Sequence, residues 1–448
     1  MPQTQESTAV DAAAPPSHSN LAPDTGAPLS RSTLIRFGVG FFGISLLWAI
    51  GLNTVASVLL PQRLKDIGVD NPTALLGSIS AVTALVSLVS NLVFGNLSDR
   101  TRSRFGKRSP WVVCGGVLGG LSLFAIGVLA NSAVITVVYC VCMVGLNMML
   151  APAIAVLSDR VPESIRGTMS TFWGVGASVG YPLGAIVGAR FISESGASVS
   201  GFTLGGVLMG IAGLFAVLVW PREKSADDET AAAKSPGDVL RSFIPPTRGA
   251  GDFWKAFFGR FTMLISYQMI NAYQLYIIQD YLGLSTKESG ATVTVMSSIT
   301  LVVGLVGGFL GGPLSDILKR RKVPVVMASL LFALGVLMPW IMPTTTGIYL
   351  FALIAGFGYA VYSSVGQALN VDVLPDPETA GKDLGILNMS TTLGQMSGPV
   401  ITSAIVTWTG AYTLVFPVSI VFPVSIGCAV IGCAVIGCFS ILAIRRVR

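Results

Sequence analysis

The chain has 448 residues, 52% of them hydrophobic and only 11% charged, with a mean hydropathy of +0.72. Soluble domains carry about 25% charged residues, so a soluble enzyme is excluded, and neither covalent chemistry nor a cofactor is expected. The formal charge of +6 does not point to nucleic acid, because in so apolar a chain Lys and Arg first set membrane topology.

A membrane span takes about 20 apolar residues. Residues 1–33, rich in Ala, Pro, Ser, Thr and Asp, read as a disordered cytoplasmic tail. Apolar segments then run over 37–60, 72–94, 111–130, 133–157, 168–191 and 202–220, giving a first six-helix bundle within 34–220. The polar stretch 221–252, containing "REKSADDET", reads as a cytoplasmic linker. Six more segments follow over 257–282, 291–314, 325–341, 347–369, 384–408 and 412–444, a second bundle within 253–448. The expected fold is an all-α membrane protein of twelve transmembrane helices in two pseudo-symmetric six-helix bundles.

All Lys and Arg outside Arg63, Lys65, Arg190 and Lys287 fall on one side of these spans, which makes both termini cytoplasmic in a cell-membrane protein. A monomer in the lipid bilayer is expected. The last segment carries tandem copies, "VFPVSI" at 415–420 and 421–426 and "GCAVI" at 427–431 and 432–436. Some 33 residues would reach about 50 Å, too long for one straight span, so a kink or break near Pro417 and Pro423, or a projecting end, is expected. The six cysteines lie in apolar runs with no Cys-x-x-Cys pair, and the one histidine, His18, lies in the tail, so no metal set and no histidine proton relay are expected.

The two halves repeat. "GNLSDRTRSRFGKRSP" with Asp99 follows the second span and "GGPLSDILKRRKVP" with Asp316 follows the eighth, an offset of 217 residues. Pro182 and Pro399 are again 217 apart, and "SDRVPE" with Asp159 matches "VDVLPD" with Asp372. Ordered landmarks at nearly one spacing indicate duplicated halves. An acid among bases at a helix junction can latch the neighbouring bundle through charge-assisted hydrogen bonds, although topology alone would also place these bases.

In Gly95, Leu97, Asp99, Arg100, Gly106, Lys107 and Arg108 the sequence resembles the major facilitator superfamily, with its G-x-L-x-D-R pattern followed by Gly and basic residues. "DRTRSRFGKRSPW", "SDRVPESIRGTMS" and "DVLPDPETAGKDLG" look more specifically like the glycoside-pentoside-hexuronide cation symporters and sucrose transporters. The resemblance implies gating by Asp99, Arg100, Arg108, Asp159 and Arg166, with Asp316 and Lys319 as the second-half equivalents. Ile317 stands where Arg would be expected. Symporters of the melibiose type hold their cation on acidic residues inside first-half helices, and the first six spans here have no central Asp or Glu. Asp280, toward the outer end of the seventh span, is the remaining coupling candidate.

Polar and aromatic residues placed mid-span are costly in lipid, so they should face a neighbouring helix or a central cavity. Tyr267, Asn271 and Gln274 share one face of the seventh helix at helical spacing, and Asn388, Thr391, Thr392 and Gln395 repeat this in the eleventh. Tyr359, Tyr362 and Gln367, Trp48 and Asn53, Asn147, and Trp173 and Tyr181 extend the set. Amides that donate and accept, beside aromatic faces, suit a neutral polyhydroxy solute, with interhelical hydrogen bonding as the alternative for each single residue. No Lys or Arg stands mid-span, which disfavours a net anionic substrate. The expected function is a secondary transporter of a sugar or related small molecule, coupled to H+ or Na+ or acting by facilitated diffusion. A drug exporter, suggested by "GASVGYPLG" in the fifth span, and a non-transporting receptor of the same fold are the rivals. No G-x-x-x-x-G-K-[ST] string occurs, so no ATP-driven pump is indicated.

Overall fold

The computed structural model describes residues 21–26, 28–223, 250–318, 322–372 and 380–431. Within them the chain forms twelve long helices in order: α1 (Arg31–Asp66), α2 (Pro72–Arg100), α3 (Ser109–Val128), α4 (Ser132–Arg160), α5 (Glu163–Ala189), α6 (Val199–Val219), α7 (Gly251–Asn271), α8 (Thr286–Leu318), α9 (Lys322–Ile341), α10 (Thr345–Asp372), α11 (Ala380–Thr409) and α12 (Val415–Ile431), with a short helical segment over Gln274–Tyr281 after α7. Polar side chains start several of them. Asn71 accepts from the Ala74 amide ahead of Pro72, and Asn131 accepts from Ala133 and Val134, each meeting amides that the helix itself leaves unpaired. A hairpin of two-residue strands pairs Ile192 with Ala197 between α5 and α6, and Asp66 at the end of α1 accepts from the Ala197 amide.

Several helices outrun the apolar segments that reveal them. Helix α2 continues from 94 to Arg100 and α5 begins at Glu163 instead of 168, because backbone hydrogen bonding continues where the apolar run stops. Among the described helices, α1 to α6 and α8 to α10 are long and apolar enough to cross a membrane. The other three break that rule for visible reasons: α7 is interrupted and carries charge, α11 carries the polar face, and α12 is described only to Ile431. Helix α12 passes through Pro417 and Pro423 uninterrupted, so the expected break does not occur there, and the second "GCAVI" copy, from 432, lies outside the described residues. The end of the tail is held: Ala22 is fully buried and Asp24 pairs with Arg160 at 3.2 Å.

The packing repeats with the sequence. In the first half α1 packs on α5 and α6, α3 on α4 and α6, and α2 on α4. In the second half α7 packs on α11 and α12, α9 on α10 and α12, and α8 on α10, the same pairs advanced by six helices. The halves meet through α2 with α11 and α5 with α8, two pairs that exchange under that same shift. Glycines bring helices into close contact at matching seams of the two halves. A Cβ at Gly180 or Gly184 of α5 would stand 2.7 Å from Ala49 Cβ or Ile50 O of α1, and one at Gly394 or Gly398 of α11 would stand 2.7 Å from Leu264 Cβ or Ile265 O of α7. Gly180 and Gly184, read in the sequence as hints of an exporter motif, thus have a packing role. Large apolar side chains such as Leu85, Leu121, Val137, Leu218, Val302 and Phe309 point outward and give the bundle an apolar exterior suited to lipid.

Candidate functional site

Three tyrosines from both halves mark the middle of the bundle. Tyr267 of α7 stacks on Tyr359 of α10 with ring centroids 4.0 Å apart and planes 9° apart. Tyr181 of α5 lies within electrostatic reach of both, although it belongs to the other half. Its ring is 42% exposed and is met edge-on by Trp48 at 5.6 Å. The buried Trp48 Nε1 has no hydrogen-bond partner, and Asn53 Nδ2 donates to Tyr181 O at 2.6 Å. Asn388 and Gln395, on one face of α11, are exposed, and between them the buried Thr391 hydroxyl has no partner. Tyr362 is buried and Gln367 has its side chain outside the described residues.

Other expected lining residues are engaged by their own neighbours. Asn147 donates to Met143 O at 2.8 Å and accepts from Asn91 of α2 at 3.2 Å, and Trp173 meets Phe41 edge-on. Asn91 is a mid-span amide that the sequence reading passed over. The shared face of Tyr267, Asn271 and Gln274 does not survive intact. Helix α7 ends at Asn271, Ala272 and Tyr273 form a turn, and the chain resumes helically over Gln274–Tyr276 and a π-turn at Ile277–Tyr281. Gln274 therefore belongs to a reoriented segment and is buried there, while Tyr267 and Asn271 keep a common face.

A second correction concerns charge. Arg260, which the sequence reading grouped with the basic loops, stands nine residues, about 13 Å, inside α7 and half-buried, within electrostatic reach of Tyr359 and Tyr362. Arg260 is thus not mid-span, but it stands inside the segment expected over 257–282 and nearer the tyrosines than the basic loops do.

At the end of the bundle far from the basic loops, the halves are bolted together. The π-turn that follows α7 has a counterpart at Val55–Leu59 in α1, and residues of the first face residues just beyond the second. Gln279 Nε2 donates to Gln62 Oε1 at 2.8 Å, and these glutamines are 217 positions apart, the spacing of the sequence repeat. Lys65 reaches Asp280 at 2.5 Å and Gln279 Oε1 at 2.9 Å, and its ammonium lies 4.8 Å from the Tyr276 ring centre. Tyr276 donates to Pro61 O at 2.8 Å, Tyr273 to Thr73 O at 3.1 Å, and Thr73 and Tyr412 share a 2.9 Å hydroxyl bond. Asp280, expected as a coupling residue, is thus one partner of an ion pair in this closure. Between described residues, the hydrogen bonds and ion pairs that cross from one half to the other all lie at this far end.

At the basic end, Arg108 organises the loop between α2 and α3. Its buried guanidinium donates to Asp159 at 2.9 and 2.8 Å and to Ser98 Oγ at 2.6 Å, and it pairs with Asp99. Lys107 stands 3.7 Å from Asp159, and Arg166 donates to Val161 O and Ser158 O, closing the end of α4. Arg100 ends α2. Glu223, just beyond α6, was missed in the sequence because it lies in the presumed linker. Its carboxylate accepts from the Arg108 and Ser109 amides and from the Ser109 hydroxyl at 2.8 to 3.2 Å, filling the N-terminus of α3. Gly106 makes room for it at φ +91°, where a Cβ would lie 2.2 Å from the carboxylate. Lys319 and the Asp316 side chain lie outside the described residues.

The model of the Major Facilitator Superfamily matches residues 37–308 and 256–436. The probable galactarate/D-glucarate transporter GudP of Escherichia coli (strain K12) is 28% identical over 195 residues, 42% of this chain and 42% of that protein. The sucrose transport protein SUC4 of Arabidopsis thaliana is 28% identical over 198 residues, 39% of this chain and 38% of that protein. In both cases the matched segment spans less than half of the relative. A crystal structure of a mutant of the nucleoside transporter NupG superposes with a TM-score of 0.70 at 14% identity, covering 89% of this chain and 100% of that one, a likeness of fold. The chain belongs to the major facilitator superfamily, a group of multi-pass membrane transporters.

Proposed function

We propose that this member of the superfamily is a secondary carrier that moves a small sugar-like polyhydroxy solute by alternating access, the bundles 34–220 and 253–448 rocking about a site between them. The observation that carries the reading is the placement of Tyr181, Tyr267 and Tyr359, from both halves, beneath a closure made of breakable polar contacts. Aromatic faces take the C–H surface of a sugar, and Trp48 Nε1 and Thr391 Oγ1 supply unpaired polar groups near its hydroxyls. The names of the Arabidopsis and Escherichia coli relatives, a sucrose transport protein and a galactarate/D-glucarate transporter, support a sugar or sugar-acid class. So do the three loops that resemble the glycoside-pentoside-hexuronide symporters.

The basic end is cytoplasmic in this reading, with both termini on that side, and the carrier is a monomer driven by H+ or Na+. Asp99, Arg108, Asp159 and Arg166 hold the basic-end loops in register as the bundles move. Uptake of radiolabelled sugars and sugar acids into proteoliposomes tests the reading. Saturable uptake reduced at least tenfold by Tyr267→Ala is expected, and a proton ionophore that leaves accumulation unchanged removes proton coupling. Absence of saturable flux for every such solute refutes the carrier.

A further inference from the structure

We propose that Arg260 binds a carboxylate in the transport pathway, so that the solute is a polyhydroxy acid of one negative charge, its carboxylate at Arg260 and its carbon chain against the tyrosine rings. This inference rests on the carrier reading above and narrows its substrate class. Arg260 lies seven residues from Tyr267 on α7, about 10 Å toward the basic end. Its guanidinium is within electrostatic reach of the Tyr359 and Tyr362 hydroxyls. Gly394 of α11 packs on Phe261 and Leu264, so Thr391, one turn nearer the basic end with its unpartnered hydroxyl, stands on the helix beside it.

Several arginines near helix ends have partners, and Arg31 and Arg190, which have none among the described residues, are exposed, unlike Arg260. Arg36, Arg63, Arg108, Arg160 and Arg166 each bond a carboxylate or a backbone carbonyl. Arg260 makes no hydrogen bond or ion pair among the described residues. A half-buried cation with no counter-ion is costly unless something that enters the site supplies the anion. A guanidinium fork offers donors only, and nearby phenolic and alcoholic hydroxyls can turn a donor toward the same anion, an arrangement that suits a carboxylate. One cation matches one negative charge. A phosphate ester, carrying about −1.5 to −2, would call for more than a single arginine.

The test measures uptake of radiolabelled glucuronate, glucose and glucose 6-phosphate into proteoliposomes holding the full chain. Glucuronate uptake that Arg260→Gln lowers roughly tenfold to a hundredfold, that Arg260→Lys lowers less, and that unlabelled glucuronate inhibits better than glucose supports the proposal. Melting of the detergent-solubilised variants checks that they fold. Competition between glucuronate and glucose on the unaltered protein decides the matter if they do not. Transport of glucose in preference to glucuronate, or glucuronate uptake indifferent to Arg260→Gln, overturns the proposal while leaving the carrier reading in place. Preference for glucose 6-phosphate overturns the charge assignment, and flux of none of the three overturns both readings.

Discussion

Replacing Lys65 by Met should loosen the far-end closure without disturbing either bundle. The ion pair to Asp280 is partly in water, with side chains 27% and 41% exposed, so screening leaves it about 0.5 to 1 kcal/mol. The 2.9 Å bond to Gln279 contributes about 1 kcal/mol more, and the ammonium over the Tyr276 ring about 0.5 kcal/mol. Together the loss is about 2 kcal/mol, a shift of roughly 30-fold between closed and open populations. An open state held at about 1% would then rise to nearly a quarter of the molecules. Spin labels at exposed Asp70 and Thr346, one on each half, report that change as a longer distance component in pulsed electron resonance. Exchanging the charges, Lys65→Asp with Asp280→Lys, should restore much of the short-distance population, and added salt should weaken that rescue. An unchanged distance distribution in Lys65→Met, or a charge exchange no better than either single change, would show that this pair does not hold the halves together.

The basic end gives predictions of stability. Glu223→Ala should lower the stability of the detergent-solubilised protein by about 1 to 2 kcal/mol, since it empties the N-terminus of α3, and Glu223→Gln should lose less; thermal unfolding checks the order. Arg108→Ala should cost about 3 kcal/mol because Asp159 loses its buried partner, whereas Asp99→Asn should cost little, Asp99 being 62% exposed. Equal melting of the two variants would count against that division. Gly180→Val should cost about 3 kcal/mol or prevent folding, as its first added carbon meets Ala49 and Leu46, while Gly174→Val, with nothing within 4 Å, should melt like the unaltered protein.

Most of the architecture could be read from the sequence because the signal that places a span, a long apolar run, is the same property that lipid selects. The repeat was legible for a related reason. Landmarks 217 residues apart imply that residues at this spacing can approach one another across a pseudo-axis, and Gln62 and Gln279 do so. What stayed hidden depends on backbone detail or on polar partners. The turn at Ala272 and Tyr273 contains neither Gly nor Pro, so nothing in the local residues announces that Gln274 leaves the face of Tyr267 and Asn271. Glu223 looked like linker composition, and only the positive φ of Gly106 admits its carboxylate to the start of α3. Arg260 was hidden because an arginine near the end of an apolar run satisfies the topology rule whether or not its helix carries it inward.

The contacts inside each half and those between the halves differ in kind, and that difference is what alternating access requires. Within a half, α1 against α5 and α7 against α11 meet backbone to backbone at glycines, so any relative slide would drive Ala49 or Leu264 into the opposite helix. Between the halves, the far end is held by hydrogen bonds and one part-exposed ion pair, each worth about 1 kcal/mol. A handful of such bonds is comparable to the binding free energy of a millimolar to micromolar solute, about 4 to 8 kcal/mol. Solute binding can therefore bias which end is closed while leaving each six-helix body rigid, and the π-turns within α1 and after α7 lie where those bodies hand over to the contacts that must break.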